Sequence, residues 1–162
     1  MATKSNELQR KFEERDEHFL TVVEKAVFLQ NIEIFSQTKT EDLARIAAIT
    51  EEKEFEKGDI IFKEKDRGNS LFFVISGEVS LRRGDKEIRH IYSQGNFGDL
   101  ALLDNKPREF TAVARDHTHV LEINSDEFYE LIEEHVEITR AVFKSLTNQI
   151  RRLVERLEEH PA

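Results

Sequence analysis

The sequence predicts a mainly β fold, a small antiparallel jelly-roll barrel with a helical N-terminal segment and C-terminal helices, and three observations carry that prediction. All six glycines fall between Gly58 and Gly98. Through the middle of the chain, short runs of β-branched and aromatic residues alternate with turn-forming clusters. On either side of this middle, apolar residues recur with helical spacing.

The elements follow in order. From about residue 5 to 30, Leu8, Phe12, Phe19, Val22, Val23, Ala26 and Val27 form a partly helical stripe that turns at Asn31 to Phe35. A second helix is expected over 40–49, with Thr38 and Glu41 spaced as a capping box and Leu43, Ile46, Ala47 and Ile49 as its apolar face. Strands are expected at Asp59–Phe62, Leu71–Ile75, Glu78–Leu81, Ile88–Ile91, Thr111–Val113 and Val120–Ile123, separated by turns at Gly58, Gly68, Gly77, Gly84 and Asp116–Thr118. Their near-regular spacing is that of a sandwich or barrel. Asn124 and Glu127 repeat the cap pattern ahead of a helix through Phe128, Leu131 and Ile132.

A last helix starts near Glu137 and repeats apolar residues at Phe143, Leu146, Ile150, Leu153 and Leu157, in steps that place them on one seam. Either the chain's own barrel or a second copy can cover that seam. A parallel homodimer is the expectation. The chain thus divides into an N-terminal helical extension (1–30), a barrel domain (31–136) and a C-terminal lid or dimerisation helix (137–162).

At 162 residues the chain is long enough for one real core. It has no cysteine, which removes disulfides, thiolate metal sites and a cysteine nucleophile and suits a reducing cytoplasm. The longest apolar run, Leu71 to Ile75, is far too short to span a bilayer, and the first residues lack the apolar segment of a signal peptide. A net charge of −9 disfavours nucleic acid and anionic membrane surfaces as partners.

Catalysis is not expected, nor is a metal or cofactor. The chain holds no His-Glu-x-x-His zinc motif, Walker loop, EF-hand loop or Gly-x-Ser-x-Gly elbow. His117 and His119 read as solvated turn residues, and the carboxylates of Glu155 to Glu159 as a hydrated helix face.

The stretch Gly95 to Thr111 is the candidate site. Gly95 and Gly98 permit backbone conformations closed to bulkier residues, and Asp99 to Leu103 can then form one helical turn with unpaired N–H groups facing outward, which is an anion site. After Pro107, Arg108 opens the next strand, where its guanidinium can fold back on the same anion. A carboxylate at Asp99 suits a guest that also carries a hydroxyl, so phosphate plus ribose is implied. The competing reading is a plain glycine corner plugged by Leu100 and Leu103, with Arg108 on the surface.

Three segments carry a family resemblance: Phe55-Glu56-Lys57-Gly58-Asp59-Ile60-Ile61-Phe62, Gly68-Asn69-Ser70-Leu71-Phe72-Phe73-Val74-Ile75-Ser76-Gly77-Glu78-Val79, and Phe97-Gly98-Asp99-Leu100-Ala101-Leu102-Leu103 with Pro107-Arg108. Over roughly residues 30 to 157 the chain resembles the cyclic nucleotide-binding domains of the catabolite activator protein, kinase regulatory subunits and gated channels. The resemblance implies a phosphate-binding cassette in which Gly98, Asp99, Leu100 and Ala101 form the cradle. Arg108 pairs with the phosphate and Asp99 holds the ribose hydroxyl. It also implies a regulatory module whose last helix passes on the signal, with cyclic AMP the first choice of ligand and cyclic GMP the second.

The departures from the family pattern lie at the same place. Asp99 is one methylene shorter than the usual glutamate, Glu109 stands where a small residue is usual, and Phe110 is larger than usual, either crowding the pocket or lying beside the base. A Glu109 carboxylate ~4 Å from the phosphate would cost on the order of 1 to 4 kcal/mol. These residues support the alternative, a degenerate relative that acts as a ligand-free protein-interaction or dimerisation module. Arg151, Arg152 and Arg156 on the last helix are candidates to stack on the base if that helix closes as a lid.

Overall fold

The structure is a computed structural model that describes residues 19–98 and 104–160. In chain order it contains helix α1 (Val22–Leu29), a 3-10 turn (Glu33–Phe35), helix α2 (Thr40–Ala48), and strands β1 (Thr50–Phe55), β2 (Ile60–Phe62), β3 (Ser70–Ser76), β4 (Val79–Arg83), β5 (Lys86–Ile91), β6 (Asn96–Phe97), β7 (Thr111–Ala114) and β8 (Thr118–Asn124). Helices α3 (Ser125–Glu134) and α4 (Val136–Glu159) follow. The strands form two four-stranded antiparallel sheets in the orders β1-β8-β3-β6 and β2-β7-β4-β5. This is the predicted jelly-roll class with helices on its flanks.

Strand β3 divides the interior. Alternating side chains point to opposite faces of a strand, and here both faces are buried. Leu71, Phe73 and Ile75 join a cluster with Leu29, Ile32, Phe35, Leu43, Ile46, Phe128 and Ile138, so the first sheet carries the helices on its outer face. Phe72 and Val74 join Val79, Leu81, Ile91, Phe97, Ala112 and Val120 between the two sheets. Phe35 meets Phe73 at 5.5 Å between ring centroids in the first cluster, and Phe72 stacks on Phe97 at 5.0 Å in the second. That second cluster forms one wall of the candidate site.

Local rules explain most element ends and correct two expectations. Thr21 caps α1 through a reciprocal pair with Glu24, and the Asn124 side chain accepts from Asp126 N–H at 2.9 Å to start α3. The capping box expected at Thr38 does not form: Lys39 is the N-cap of α2, because Thr38 N–H is drawn into the preceding turn by a 3.0 Å bond to Phe35 C=O. His119 is not a solvated turn residue. It lies on β8, where its Nε2 sits 2.8 Å from Glu52 Oε2, and the same buried carboxylate accepts from Leu20 N–H. His117 is exposed and pairs with Glu56 and Glu54.

Helix α4 enters the core through its first half. Ile138 and Val142 enter the core, Leu146 packs against it, and Ser145 Oγ donates to Glu33 C=O at 2.6 Å. Beyond this point the seam does not dock on the barrel: Phe143, Ile150, Leu153 and Leu157 are all more than half exposed. At 1.5 Å per residue, the 24-residue helix runs about 36 Å. Among the described residues no helix is long and apolar enough to cross a membrane. Of the predicted N-terminal helix, Leu8 and Phe12 lie outside the described residues, as do Asp99 to Leu103 of the predicted helical turn.

Candidate functional site

Arg108 is a buried charge held by side-chain and backbone bonds. It precedes β7 rather than opening it, and its backbone is locked to the 65–66 turn by two bonds of 2.9 Å, Lys65 N–H to Arg108 C=O and Arg108 N–H to Asp66 C=O. The adjoining bridge between Arg67 and Pro107 holds the same pair of loops together. The side chain is buried, with only 6% of the residue exposed, and its guanidinium donates to Ser70 C=O at 2.8 Å and Gly98 C=O at 3.0 Å. Its Cζ lies 4.1 Å from the centroid of the Phe62 ring, within cation–π range. The competing surface position for Arg108 is thereby overturned.

Two glycines make room for this guanidinium. A Cβ at Gly68 would lie 2.3 Å from Arg108 Nε, and one at Gly98 would lie 2.6 Å from an Arg108 terminal nitrogen. Gly98 also holds φ at +82°, a conformation costly for any side chain. Gly98 was read from sequence as part of an anion cradle. Here its carbonyl helps aim the arginine.

The guanidinium borders a cavity of about 260 Å³, close to the lower end of small-molecule sites (roughly 300–1,000 Å³). Phe62, Leu81, Phe97 and Phe110 supply apolar walls; Arg89, Lys106 and Arg108 supply cations; Asp104 and Glu109 supply carboxylates. Glu109 is exposed and lines the cavity without filling it. Phe110 is half-buried against the inner core, and Arg83 lies over its ring at 4.9 Å. Asp99, Leu100 and Ala101, the remaining residues of the expected cradle, lie outside the described residues. No residue of α4 lines the cavity, and Arg152 instead pairs with Glu33.

Arg89 and Ile88 were not singled out from sequence. In the β4–β5 ladder Leu81 pairs with Arg89, and the next pair is Arg82 with Glu87, so Ile88 is the extra residue of a bulge. Leu81 faces the inner core, which places Arg89 on the same inward face. The bulge then reverses the alternation: Ile88 reaches the cavity, and Glu87 turns to the opposite face. The signal was present in Ile88-Arg89-His90-Ile91, whose apolar residues are three apart and fit neither face of a regular strand.

On that opposite face a polar network forms. His90 Nδ1 lies 2.5 Å from Glu78 Oε1 and its Nε2 3.2 Å from Glu87 Oε2. Glu87 also accepts from Ser80 at 3.1 Å and from Arg115 at 3.1 Å. The bond to Glu78, reinforced by Glu87, raises the His90 pKa above its ordinary value, and the Ser80 hydroxyl, with His90 and Arg115, lowers that of Glu87. Among the described residues no group of three or more His, Asp or Glu side chains is arranged to hold a metal ion.

Residues 52–135 match the cyclic nucleotide-binding domain family. The chain is 34% identical over 107 residues to a cAMP-dependent protein kinase regulatory subunit of Emericella nidulans, an alignment that covers 65% of this chain and 26% of that protein. It therefore spans about a quarter of the length of the curated relatives it matches. Among solved structures it is similar to the N-terminal domain of a transcriptional regulator from Streptomyces coelicolor, with a TM-score of 0.72, 23% identity, and 78% of this chain and 94% of that one covered. It is also similar to the regulatory domain of Toxoplasma gondii PKA crystallised with cAMP, with a TM-score of 0.64, 26% identity, and 71% and 46% covered.

Proposed function

The chain belongs to the cyclic nucleotide-binding domain family, and from that premise we propose that it is a non-catalytic sensing module that takes one cyclic nucleotide into the cavity beside Arg108. The names of its relatives support cyclic AMP as a guest, and cyclic GMP shares the phosphate and ribose that the site addresses. The observation that carries the reading is Arg108 itself. Arg108 is held almost out of water on the cavity wall, fixed by Ser70 C=O and Gly98 C=O and by the Phe62 ring. A permanent cation fixed in that place suits an anionic guest that a planar guanidinium can bind. Asp99 takes the ribose hydroxyl, and the backbone of Gly98 to Ala101 cradles the phosphate.

The same reading assigns roles to the parts of the chain. The barrel (31–136) binds, the N-terminal segment (1–30) covers it, and the last helix (137–162) carries the output. The exposed seam of α4 favours a homodimer, because a helix gains most of its stability from packing an apolar face, and Phe143, Ile150, Leu153 and Leu157 are all more than half exposed. With Leu146 they form a two-stranded seam. We place the module in the cytoplasm, with no role for nucleic acid, membrane, metal or cofactor.

Thermal unfolding with and without nucleotide tests the reading. A ligand that binds only the folded state at ~100 times its Kd adds about 2.7 kcal/mol of stability, which raises Tm by several degrees. Arg108→Ala is expected to abolish that rise for both cyclic AMP and cyclic GMP. No rise with either nucleotide at millimolar concentration would leave the ligand-free interaction module as the function.

A further inference from the structure

We propose that Glu64 is a positioning residue for the guest: it clamps the tip of the β4–β5 hairpin to the turn that holds Arg108, and so sets the gap between two walls of the cavity. The proposal rests on the cyclic-nucleotide reading above and adds to it a residue that does not itself line the cavity. Glu64 lies between β2 and β3, and no local sequence pattern joins it to a hairpin tip 20 residues further on.

The two walls come from different parts of the second sheet. Leu81, Ile88 and Arg89 come from the hairpin, and Arg108 and Phe110 from the segment before β7. The ladder between β4 and β7 runs as far as Arg82 opposite Thr111 and ends there. Past that pair the hairpin tip and the 108–110 segment share no ladder, and Glu64 ties them instead. Its carboxylate accepts from Gly84 N–H at 2.6 Å, on the tip, and its own N–H donates to Thr111 Oγ1 at 3.0 Å, at the ladder's end. The next residue, Lys65, donates its N–H to Arg108 C=O at 2.9 Å. One turn thus grips both walls, and Arg83 over the Phe110 ring at 4.9 Å spans the same gap from the hairpin side.

The grip is strong for its exposure, because a backbone N–H given to an ionised carboxylate makes a bond about twice as strong as a neutral one. The backbone beside it is held in an unusual state. Lys65 has φ at +69°, a sparsely populated conformation for a residue with a side chain, and one that persists only where its neighbours over-determine it. Here they do. Glu64 is tied to Gly84 and Thr111, while Asp66 accepts Arg108 N–H on its carbonyl and Lys63 N–H on its carboxylate. A turn fixed so heavily beside the buried guanidinium, yet lining no part of the cavity, holds other residues in place.

Amide exchange by NMR and titration with cyclic AMP test the proposal on the full chain, in wild type, Glu64→Ala and Glu64→Gln. Without nucleotide, the Gly84 amide is expected to exchange slowly in wild type and quickly in Glu64→Ala. Glu64→Ala is expected to weaken cyclic AMP by about five-fold, mostly through faster dissociation. The Tm of the free protein is expected to move by no more than about one degree, as for other surface substitutions. Glu64→Gln keeps an acceptor oxygen without the charge and is expected to recover part of the affinity. Arg83→Ala is expected to weaken binding less in the Glu64→Ala background than in wild type, since both act through the hairpin tip. Unchanged affinity in Glu64→Ala, with wild type binding normally, would overturn the proposal and leave the site intact. Matching falls in affinity and Tm, with no recovery in Glu64→Gln, would make Glu64 a structural residue only. A Gly84 amide that exchanges freely in wild type would remove the clamp whatever the guest. Binding of neither cyclic AMP nor cyclic GMP by wild type would remove the cyclic-nucleotide reading, and this role with it.

Discussion

The two sheets cover their outer faces in opposite ways. The first sheet sets Leu71, Phe73, Ile75, Leu121 and Ile123 against the helices, and the cluster that results holds Phe35, Phe73 and Ile46 almost fully out of water. Among the described residues no helix joins the core of the second sheet, whose outer face carries the Ser80, Glu87, His90 and Arg115 network. Apolar burial scales with area removed from water, whereas exposed polar pairs contribute little. Stability is therefore concentrated on the helical side. The other side is left free to bulge and to admit a cavity.

The largest effect that separates the two sides is expected from Phe73→Ala. Phe73 is fully buried and touches Phe35, and truncating such a side chain costs about 3–5 kcal/mol, a large part of the 5–15 kcal/mol typical of a whole domain. Chemical denaturation measures it. A loss under about 1 kcal/mol would mean that the helices are ornamental to the first sheet and that the contrast drawn here is wrong.

A smaller effect is expected where the two sides meet, at Gly68. The new methyl of Gly68→Ala would stand 2.3 Å from Arg108 Nε and 2.6 Å from Cζ, so the guanidinium must leave Ser70 C=O and Gly98 C=O. Losing hydrogen bonds to a charged group costs about 1–3 kcal/mol of stability. Nucleotide affinity is expected to fall by about ten-fold or more, equivalent to about 1.4 kcal/mol. A variant with reduced stability and unchanged affinity would show that Arg108 supports the loops without touching the guest.

How much of this could be read from the sequence follows the same division. The strands with two buried faces, or with one face buried in regular alternation, announced themselves: β3 and β8 are dense in Leu, Ile, Val and Phe. Strand β1 did not, because Thr50-Glu51-Glu52-Lys53-Glu54-Phe55 is an edge strand bonded only to β8, and its charges look like a solvated turn. Its one buried carboxylate, Glu52, is explained only by partners 32 and 67 residues away, Leu20 N–H and His119. Arg108 could be found from its place after Pro107. Ile88 could not, since it reaches the cavity through a bulge whose register is set by β4. The exposed seam of α4 was legible as a seam, but its spacing is the same whether the cover is the barrel or a second copy.

The smallest effect tests the polar side directly. His90 has its pKa raised, first by the bond to Glu78 and then by Glu87, so its contribution is fully present below its ordinary value of 6.5 and is lost as pH rises through the elevated folded value. Glu87 has its pKa lowered, chiefly by Ser80, so its contribution is present above 4.5 and is lost as pH falls through the depressed value. The network is therefore fully charged between those two limits, with Arg82 and Arg115 as its further cations. Raising the pH from 6 toward 9 is expected to lower Tm slightly in wild type and less in His90→Gln, and the difference between the two melting profiles is the readout. Because every charged member is exposed enough for water to screen it, the difference should shrink further in high salt. Superimposable profiles would show that His90 is uncoupled from folding. The bare face would then be held by its strand ladder alone, and the bulge that sends Glu87 outward would have its whole purpose on the cavity side.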